Sequence, residues 1–513
     1  MLAPLRANRA RQPTVIGKSR PAPVRGWDAK SSLAQMKPDA AIVLDNWFPE
    51  ASQVQVRRGY ESYATGMTGD VESLMDYASG SAQKLLAAAN GALWDVSSAG
   101  AASSLASGFT SDRWQHTNMG TAGGQFIIMV NGADTCQKFD GTSVTSNSIT
   151  GPSTPADLIG VTLHDRRLYF VEKNSLKFWY LAVGTISGAA TSFDLAPLCR
   201  RGGYLMAIGS WTRDGGSGPD DIAVFLTSEG EALLYSGTDP GDATKWSLVG
   251  VFHVGAPIGR RCMMKVGADL VLITVDGFLP LSRVLPIDRS APQTALSDQI
   301  QNAVTDATRL YKDNFGWQGV LYPAGHYSLF NIPVVESTTM HQYVVNLQTG
   351  AWARFRNQNA NCWAVYQDGL YFGGASGVVY QADTGTDDDG STISADVRTA
   401  FDYFDRRGEL KRFTMFRPLL SSEGAIPLAL DLSVDFESRL TAAVTQLVGS
   451  ATPPWDTTLW DTEQWAQDIG VSKDWQSVVG LGYCASVRMR VAVSGVSVYW
   501  QSSDWLMEPG GYL

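Results

Sequence analysis

The sequence predicts an all-β chain: a β-propeller of six or seven blades, an extended N-terminal arm and a C-terminal β-sandwich-like domain. Three observations predict it. Hairpins recur through the middle of the chain, several of them roughly 40–50 residues apart, the period of a propeller blade. Long strands of period-two alternation follow an acidic loop around residues 383–390. Helical periodicity is confined to one short stretch near residues 295–311.

Residues 1–65 read as the arm. From Met1 to Trp27 it carries Arg6, Arg9, Arg11, Lys18, Arg20 and Arg25 and no acid. Trp27, Trp47 and Phe48 punctuate it, and apolar anchors of this kind favour an arm that orders on a partner over an untethered tail. Val54-Gln55-Val56 alternates as a strand leading into the first blade.

Residues 66–385 read as the propeller. The run 84–89 meets Asn90-Gly91 and continues through 92–96; the run 125–130 meets Asn131-Gly132. Residues 221–226 turn at Glu229-Gly230, and residues 269–275 turn at Asp276-Gly277. Asn-Gly and Asp-Gly supply the positive φ that a two-residue hairpin loop requires, and apolar runs on both sides complete the signature. Three further hairpins turn near Asn174-Ser175, Thr349-Gly350 and Ser376-Gly377. The last two are close enough together to be two halves of one blade. Leu296, Ile300, Ala303, Ala307 and Leu310 recur at steps of three and four, which predicts a helical insertion near 295–311.

The stretch Asp383-Thr384-Gly385-Thr386-Asp387-Asp388-Asp389-Gly390 is the best domain boundary, and residues 386–513 read as the C-terminal β domain. Runs 412–418, 428–436, 486–493 and 496–500 alternate with period two, which suits a β-sandwich. Between them Trp455, Trp460 and Trp465 recur at a spacing of five. That spacing fits neither a helix face nor a strand face, so a loop is expected whose rings pack on the C-terminal strands or on a neighbouring subunit.

Composition narrows the function classes. Of 513 residues 44% are hydrophobic and 18% charged, a globular balance. The apolar runs are strand-sized, far below the ~18 residues of a membrane span, so no membrane insertion is expected. The first twenty residues lack the apolar core of a secretory signal, and Pro4, Pro13, Pro21 and Pro23 oppose the amphipathic helix of a mitochondrial presequence. Cys136, Cys199, Cys262, Cys362 and Cys484 are scattered with no C-x-x-C, so buried free thiols and a reducing cytoplasm are expected. Net charge is −10 despite the basic arm, so the body is more acidic than the whole. An acidic body repels nucleic acid, whereas the arm suits an acidic partner or phosphates.

Catalytic motifs are weak. There is no H-x-x-x-H among His116, His164, His253, His326 and His341, so no metal site is expected. His164-Asp165 could pair a base with its orienting acid, but no nucleophile motif accompanies it, and a structural pair is favoured. Asp383-Thr384-Gly385 matches half of an aspartic-protease dyad without a second triplet, and turn chemistry is favoured. Residues 387–390 are dense in carboxylates, yet the register that puts Gly390 at the sixth position of a calcium loop puts Gly385 where an aspartate is needed. Gly215-Gly216-Ser217-Gly218 lacks the lysine of a phosphate loop. Residues 238–246 resemble a sialidase Asp-box with altered spacing, a turn device that does not itself imply hydrolysis, since that needs two placed carboxylates. No catalytic, cofactor-binding or metal-binding residue is therefore assigned, and no cofactor is expected.

Four stretches carry a family resemblance. The first is Gly26-Trp27-Asp28 with Ser32-Leu33, Met36-Lys37-Pro38-Asp39-Ala40, Leu44-Asp45-Asn46-Trp47-Phe48-Pro49 and Arg57-Arg58-Gly59. The second runs through residues 235–240, 246–252 and 255–261, with Val275-Asp276-Gly277 after it. The third joins residues 408–413 to 432–436, and the fourth is the closing run 502–511. In this order along one chain they resemble the tail nozzle proteins of short-tailed bacteriophages, also called knob or packaged-DNA stabilisation proteins. The resemblance spans the whole chain, although the best-known nozzle proteins can be longer, with additional domains.

The resemblance implies a structural virion protein, not an enzyme. It implies a homo-oligomer, most simply a hexamer, that continues the portal–adaptor channel at the tail, retains packaged DNA and conducts it at ejection. Implied partners are the portal–adaptor complex, tail fibres or tip proteins, and double-stranded DNA in transit. The implied location is the virion, after synthesis in the host bacterial cytoplasm. Arg6, Arg9, Arg11, Arg20, Arg25, Trp27 and Trp47 are then the expected contacts to the adaptor or a neighbouring subunit. The alternative is a carbohydrate-binding or glycan-cleaving propeller on a phage tail tip, which two paired carboxylates at one end of the central channel would favour.

Overall fold

The structure, a computed structural model, describes residues 15–80, 82–214, 219–285, 295–437, 444–447 and 470–510. The chain forms two compact units. One comprises Arg58–Gln348 and Arg354–Ser391. The other combines both ends of the chain, Met1–Arg57 and Thr392–Leu513, with the short segment Thr349–Ala353.

The first unit is a β-propeller. Blade 1 runs Val71–Ala78, Gln83–Ala89, Ala92–Asp95 and Ser103–Ser107. Blade 2 runs Gln115–Thr121, Gly124–Val130, Gln137–Phe139 and Val144–Ser146. Blade 3 runs Leu158–His164, Arg167–Glu172, Lys177–Tyr180 and Thr191–Asp194. Blade 4 runs Leu205–Asp214, Pro219–Thr227, Glu231–Gly237 and Trp246–His253. A three-stranded sheet follows, Met263–Val266, Asp269–Thr274 and Gly277–Pro280, and then the helix Gln301–Tyr311 where the sequence predicts one. The next blade holds Gln318–Tyr322, Tyr327–Val335, Thr339–Asn346 and Trp352–Arg356, of which Arg354–Arg356 belong to this unit. The last blade takes Cys362–Tyr366, Gly369–Gly373 and Val379–Thr384 from the end of the unit and Gly59–Thr65 from its beginning. Six four-stranded blades and one three-stranded sheet thus surround one axis, with the first strand of each on the inside.

Local chemistry explains the hairpins. Asn90 (φ 52°) and Gly91 (φ 70°) make the tight turn that sets Ala89 opposite Ala92. A side chain at Gly91 would also meet the Phe109 carbonyl oxygen at 2.6 Å. Apolar faces then pack blade on blade. Met75, Leu86 and Leu93 of blade 1 share a core with Trp114, Ile127 and Phe139. Between blades 3 and 4, Phe178 stacks on Phe225 at 4.5 Å between ring centroids, and within blade 4 Tyr235 stacks on Trp246 at 5.1 Å. Aromatic pairs of this geometry add ~0.5–1.5 kcal/mol each beyond their buried area.

Ring closure is non-local. Gly59–Thr65 pairs antiparallel with Val379–Thr384, Tyr60 opposite Ala382. Gly59 permits it, because a Cβ there would lie 1.6 Å from the Asp387 carbonyl oxygen.

The second unit holds two sheets. In one, Val498–Pro509 pairs with Lys411–Ser422 and with Ile16–Pro21, and Val54–Val56 links it to Trp47–Pro49. In the other, Ala41–Asp45, Ile393–Thr399, Ala485–Val493, Ile426–Val434 and Val444–Leu447 follow in order. Val487, Met489, Val491 and Val493 point inward, and Arg488 and Arg490 stand between them on the outer side. Gln476–Gly482 of the first sheet packs against Ile426–Val434 of the second, as the expected sandwich requires.

Four details differ from the sequence reading. Residues 15–65 do not form a separate arm: Ile16–Pro21 is a strand of the sandwich, and Gly59–Thr65 belongs to the propeller. Ile16–Pro21 has no fully buried residue, so it lacks the apolar alternation that marks a strand in sequence. Val54–Val56 pairs within the sandwich and does not lead into a blade. Asn131-Gly132 is not a two-residue turn, because Asn131 Oδ1 accepts the backbone N–H groups of Ala133 and Asp134 and opens a longer loop to Gln137. The hairpins near Gly350 and Gly377 fall in different sheets.

Candidate functional site

The residues expected to grip a partner divide into three groups. Arg6, Arg9 and Arg11, with Trp455, Trp460 and Trp465 and the stretch 215–218, lie outside the described residues. Arg20 and Arg25 are engaged within the sandwich unit. The Arg20 guanidinium is ion-paired to Asp402 and lies 3.4 Å from Asp405, which Lys18 Nζ also reaches at 3.1 Å. Burial alone would lower the Arg20 pKa, but the carboxylates of Asp402 and Asp405 outweigh it and raise the pKa. Arg25 Nε stands 3.9 Å from Asp39 Oδ1.

Trp27 and Trp47 form the third group, and here the expectation is corrected. Trp47 is fully buried, edge-on to Trp500 at 6.2 Å between centroids. Trp27 is buried, and its backbone N–H donates to the Trp352 carbonyl. Both rings serve the unit's own core and are not available as direct partner anchors. Sequence alone could not separate the cases, because the strand that covers Trp47 lies some 450 positions away.

The chemical candidates of the propeller prove to be local devices. His164 is buried, and its Nδ1 lies 3.1 Å from Ser210 Oγ, a neighbour no sequence spacing announces. Its Nε2 is 3.6 Å from Asp165, too long for a hydrogen bond. Burial lowers the His164 pKa and outweighs the charges of Asp165 and Asp221. Asp242 Oδ1 accepts from the Thr244 backbone and hydroxyl, and Asp239 pairs with Arg167, so the Asp-box-like stretch is turn chemistry. Asp389 accepts from Ser62 N and Oγ, and Asp387 Oδ1 from Gly390 N. Asp383 adopts positive φ, and burial pushes its carboxyl up to about 6 despite Arg58 and a hydrogen bond with Tyr322. Burial pushes the thiols of Cys136, Cys262 and Cys362 up to about 12, so they stay protonated and unreactive at neutral pH.

The axial channel is the larger of the propeller's two described cavities, at about 570 Å³. The first strands of all seven sheets line it, mixing apolar Ile159, Val161 and Met264 with polar or cationic Gln115, Lys265 and Arg261. Asp76 is the only carboxylate among its described lining residues, and His116 Nε2 stands 3.3 Å from it. Burial would raise the Asp76 pKa, but the hydrogen bond and charge of His116 win and lower it. Such a surface can bind; a nucleophile with its base, or a carboxylate pair, is not among the described residues of the channel. A second cavity of about 390 Å³ lies where Ser111–Gln115 side chains, the Asn131–Ala133 loop and residues 312–317 meet, and shares Arg260 and Arg261 with the channel.

No protein-family model and no curated protein matches the sequence. Solved structures similar to it include BBS1N in complex with ARL6DN, at TM-score 0.40 and 9% identity over 64% of this chain and 98% of that one. They also include YCF48 bound to D1 peptide, at TM-score 0.37 and 11% identity over 63% of this chain and 95% of that one. Likeness at these identities concerns the fold alone.

Proposed function

We propose that this chain is a structural virion protein of the tail nozzle type, forming a ring that continues the portal–adaptor channel, retains packaged DNA and conducts it at ejection. The observation that supports this best is the way the chain is partitioned. The resembling stretches at opposite ends of the sequence, 26–57 and 502–510, belong to one β unit, and the propeller is inserted between them. That arrangement suits a ring-building β domain that carries an inserted propeller.

The ring is a homo-oligomer, taken as a hexamer, and its function needs no catalytic residue, metal or cofactor. Charge suits a conduit. Each phosphate neutralised by Lys or Arg adds retention, and a chain of net charge −10 limits such contacts. Arg20 and Arg25 are already occupied by Asp402, Asp405 and Asp39, so adaptor attachment falls to Arg6, Arg9 and Arg11. Virions assembled with a chain lacking residues 1–14 test the reading: they should fail to hold the tail tip and should lose packaged DNA. Full retention of both would contradict it.

A further inference from the structure

The 390 Å³ cavity of the propeller is positively charged in a protein that is acidic overall. Arg113, Lys173, Arg260, Arg261 and Lys312 line it, with Asp313 as the one carboxylate among its described lining residues. Arg113 is neutralised from behind by Glu72 and Glu336. The other four cations form no ion pair among the described residues.

Two of these charges are costly to hold. Arg260 is half-buried, and its Nη1 donates only to the Asn131 carbonyl oxygen, at 3.1 Å. Arg261 Nη2 donates to Ser73 Oγ and to the carbonyls of Glu72 and Trp114, while its Nη1 is buried without a hydrogen-bond partner. Phe315 lies between Arg113 and Arg261, with guanidinium carbons 4.0 and 5.2 Å from its ring centre, which fixes the direction of both. Burial disfavours the charge on Arg260 and Arg261 and, for Arg261, outweighs the favourable charge of Glu72; neighbouring Arg113 adds to the penalty. A desolvated guanidinium that lacks an ion pair is stabilised when an anion completes its hydrogen bonds.

We propose that this cavity is a binding site for a small phosphate-bearing ligand, held by Arg260 and Arg261 from within and by Lys173 and Lys312 at the rim. Phosphate suits it better than a single carboxylate, because its oxygens can accept from several converging donors and its greater charge matches four unpaired cations. A phosphate could come from a free small molecule or from a nucleic-acid backbone. The small volume and the acidic body favour the small molecule. The inference does not rest on the virion reading.

The test is calorimetric titration of the full chain with pyrophosphate, with inorganic phosphate and with a short DNA duplex. Pyrophosphate should bind, and Arg260→Gln and Lys312→Gln should each weaken it about tenfold or more, the loss of one charge-assisted contact. Lys177→Gln, an exposed change on blade 3, should leave it unaltered. Because Lys312 is exposed, its variant remains informative if the Arg260 variant does not fold. No pyrophosphate binding, binding indifferent to both variants, or binding of the duplex alone would overturn the proposal.

Discussion

Trp47 packs edge-on against Trp500, 6.2 Å between ring centroids, so a residue near the start of the chain and one near its end share a single core. The backbone repeats the link, with Val54 opposite Trp500 and Arg20 opposite Ser503. The sandwich therefore cannot be completed until the propeller between its halves has been synthesised.

Trp500→Ala removes a fully buried indole from that contact. We expect a loss of about 3–5 kcal/mol, the usual range for a large aromatic emptied from a core. Urea unfolding followed by intrinsic fluorescence and far-UV circular dichroism checks it. A loss below about 1 kcal/mol would mean that the two ends do not depend on one core.

Two deletions separate attachment from folding. Removing residues 1–14 takes away Arg6, Arg9 and Arg11 but spares the Ile16–Pro21 strand and its Arg20–Asp402 pair. Removing residues 1–25 takes the strand as well. The shorter deletion should leave the unfolding midpoint unchanged and abolish adaptor binding in a pull-down; the longer should lower the midpoint too. Equal midpoints for both would show that the strand contributes nothing.

Gly91→Ala places a Cβ at φ 70° and 2.6 Å from the Phe109 carbonyl oxygen. We expect a destabilisation of roughly 1–3 kcal/mol, typical of a side chain forced into a left-handed, crowded position. Thermal unfolding against wild type reads this directly, and a neutral result would contradict the turn geometry.

Asp383 gives the propeller a pH dependence. Its native carboxyl holds a proton to about pH 6, whereas in an unfolded chain it ionises near ~4. The native state binds more protons in that interval, so this contribution is fully present below about pH 4 and is lost as pH rises through about 6, up to about 3 kcal/mol. Asp383→Asn should flatten the slope of urea midpoint between pH 4 and 7 and stabilise the protein at pH 7. An unchanged slope would contradict it.

Much of the propeller is legible because its turns are written in short code. Asn90-Gly91 and Ser376-Gly377 each meet a positive-φ requirement that few residues satisfy. The helix Gln301–Tyr311 is legible for the same reason of local period. What stays hidden is non-local. Nothing in residues 59–65 names Val379–Thr384 as their partner, and the polar strand Ile16–Pro21 has no buried face to announce it. Asn131 misleads because its side chain, not its backbone, organises the loop. The cationic cavity is equally silent, since Lys173, Arg260 and Lys312 converge only once the blades close into a ring.

Ring assembly is tested by the mass and symmetry of the purified protein, alone and with a portal–adaptor complex, by mass photometry and class-averaged electron microscopy. We expect a symmetric ring with an open channel, formed on the adaptor and lost when residues 1–14 are removed. A stable monomer that ignores the adaptor, particularly one that binds or cleaves surface glycans, would contradict it.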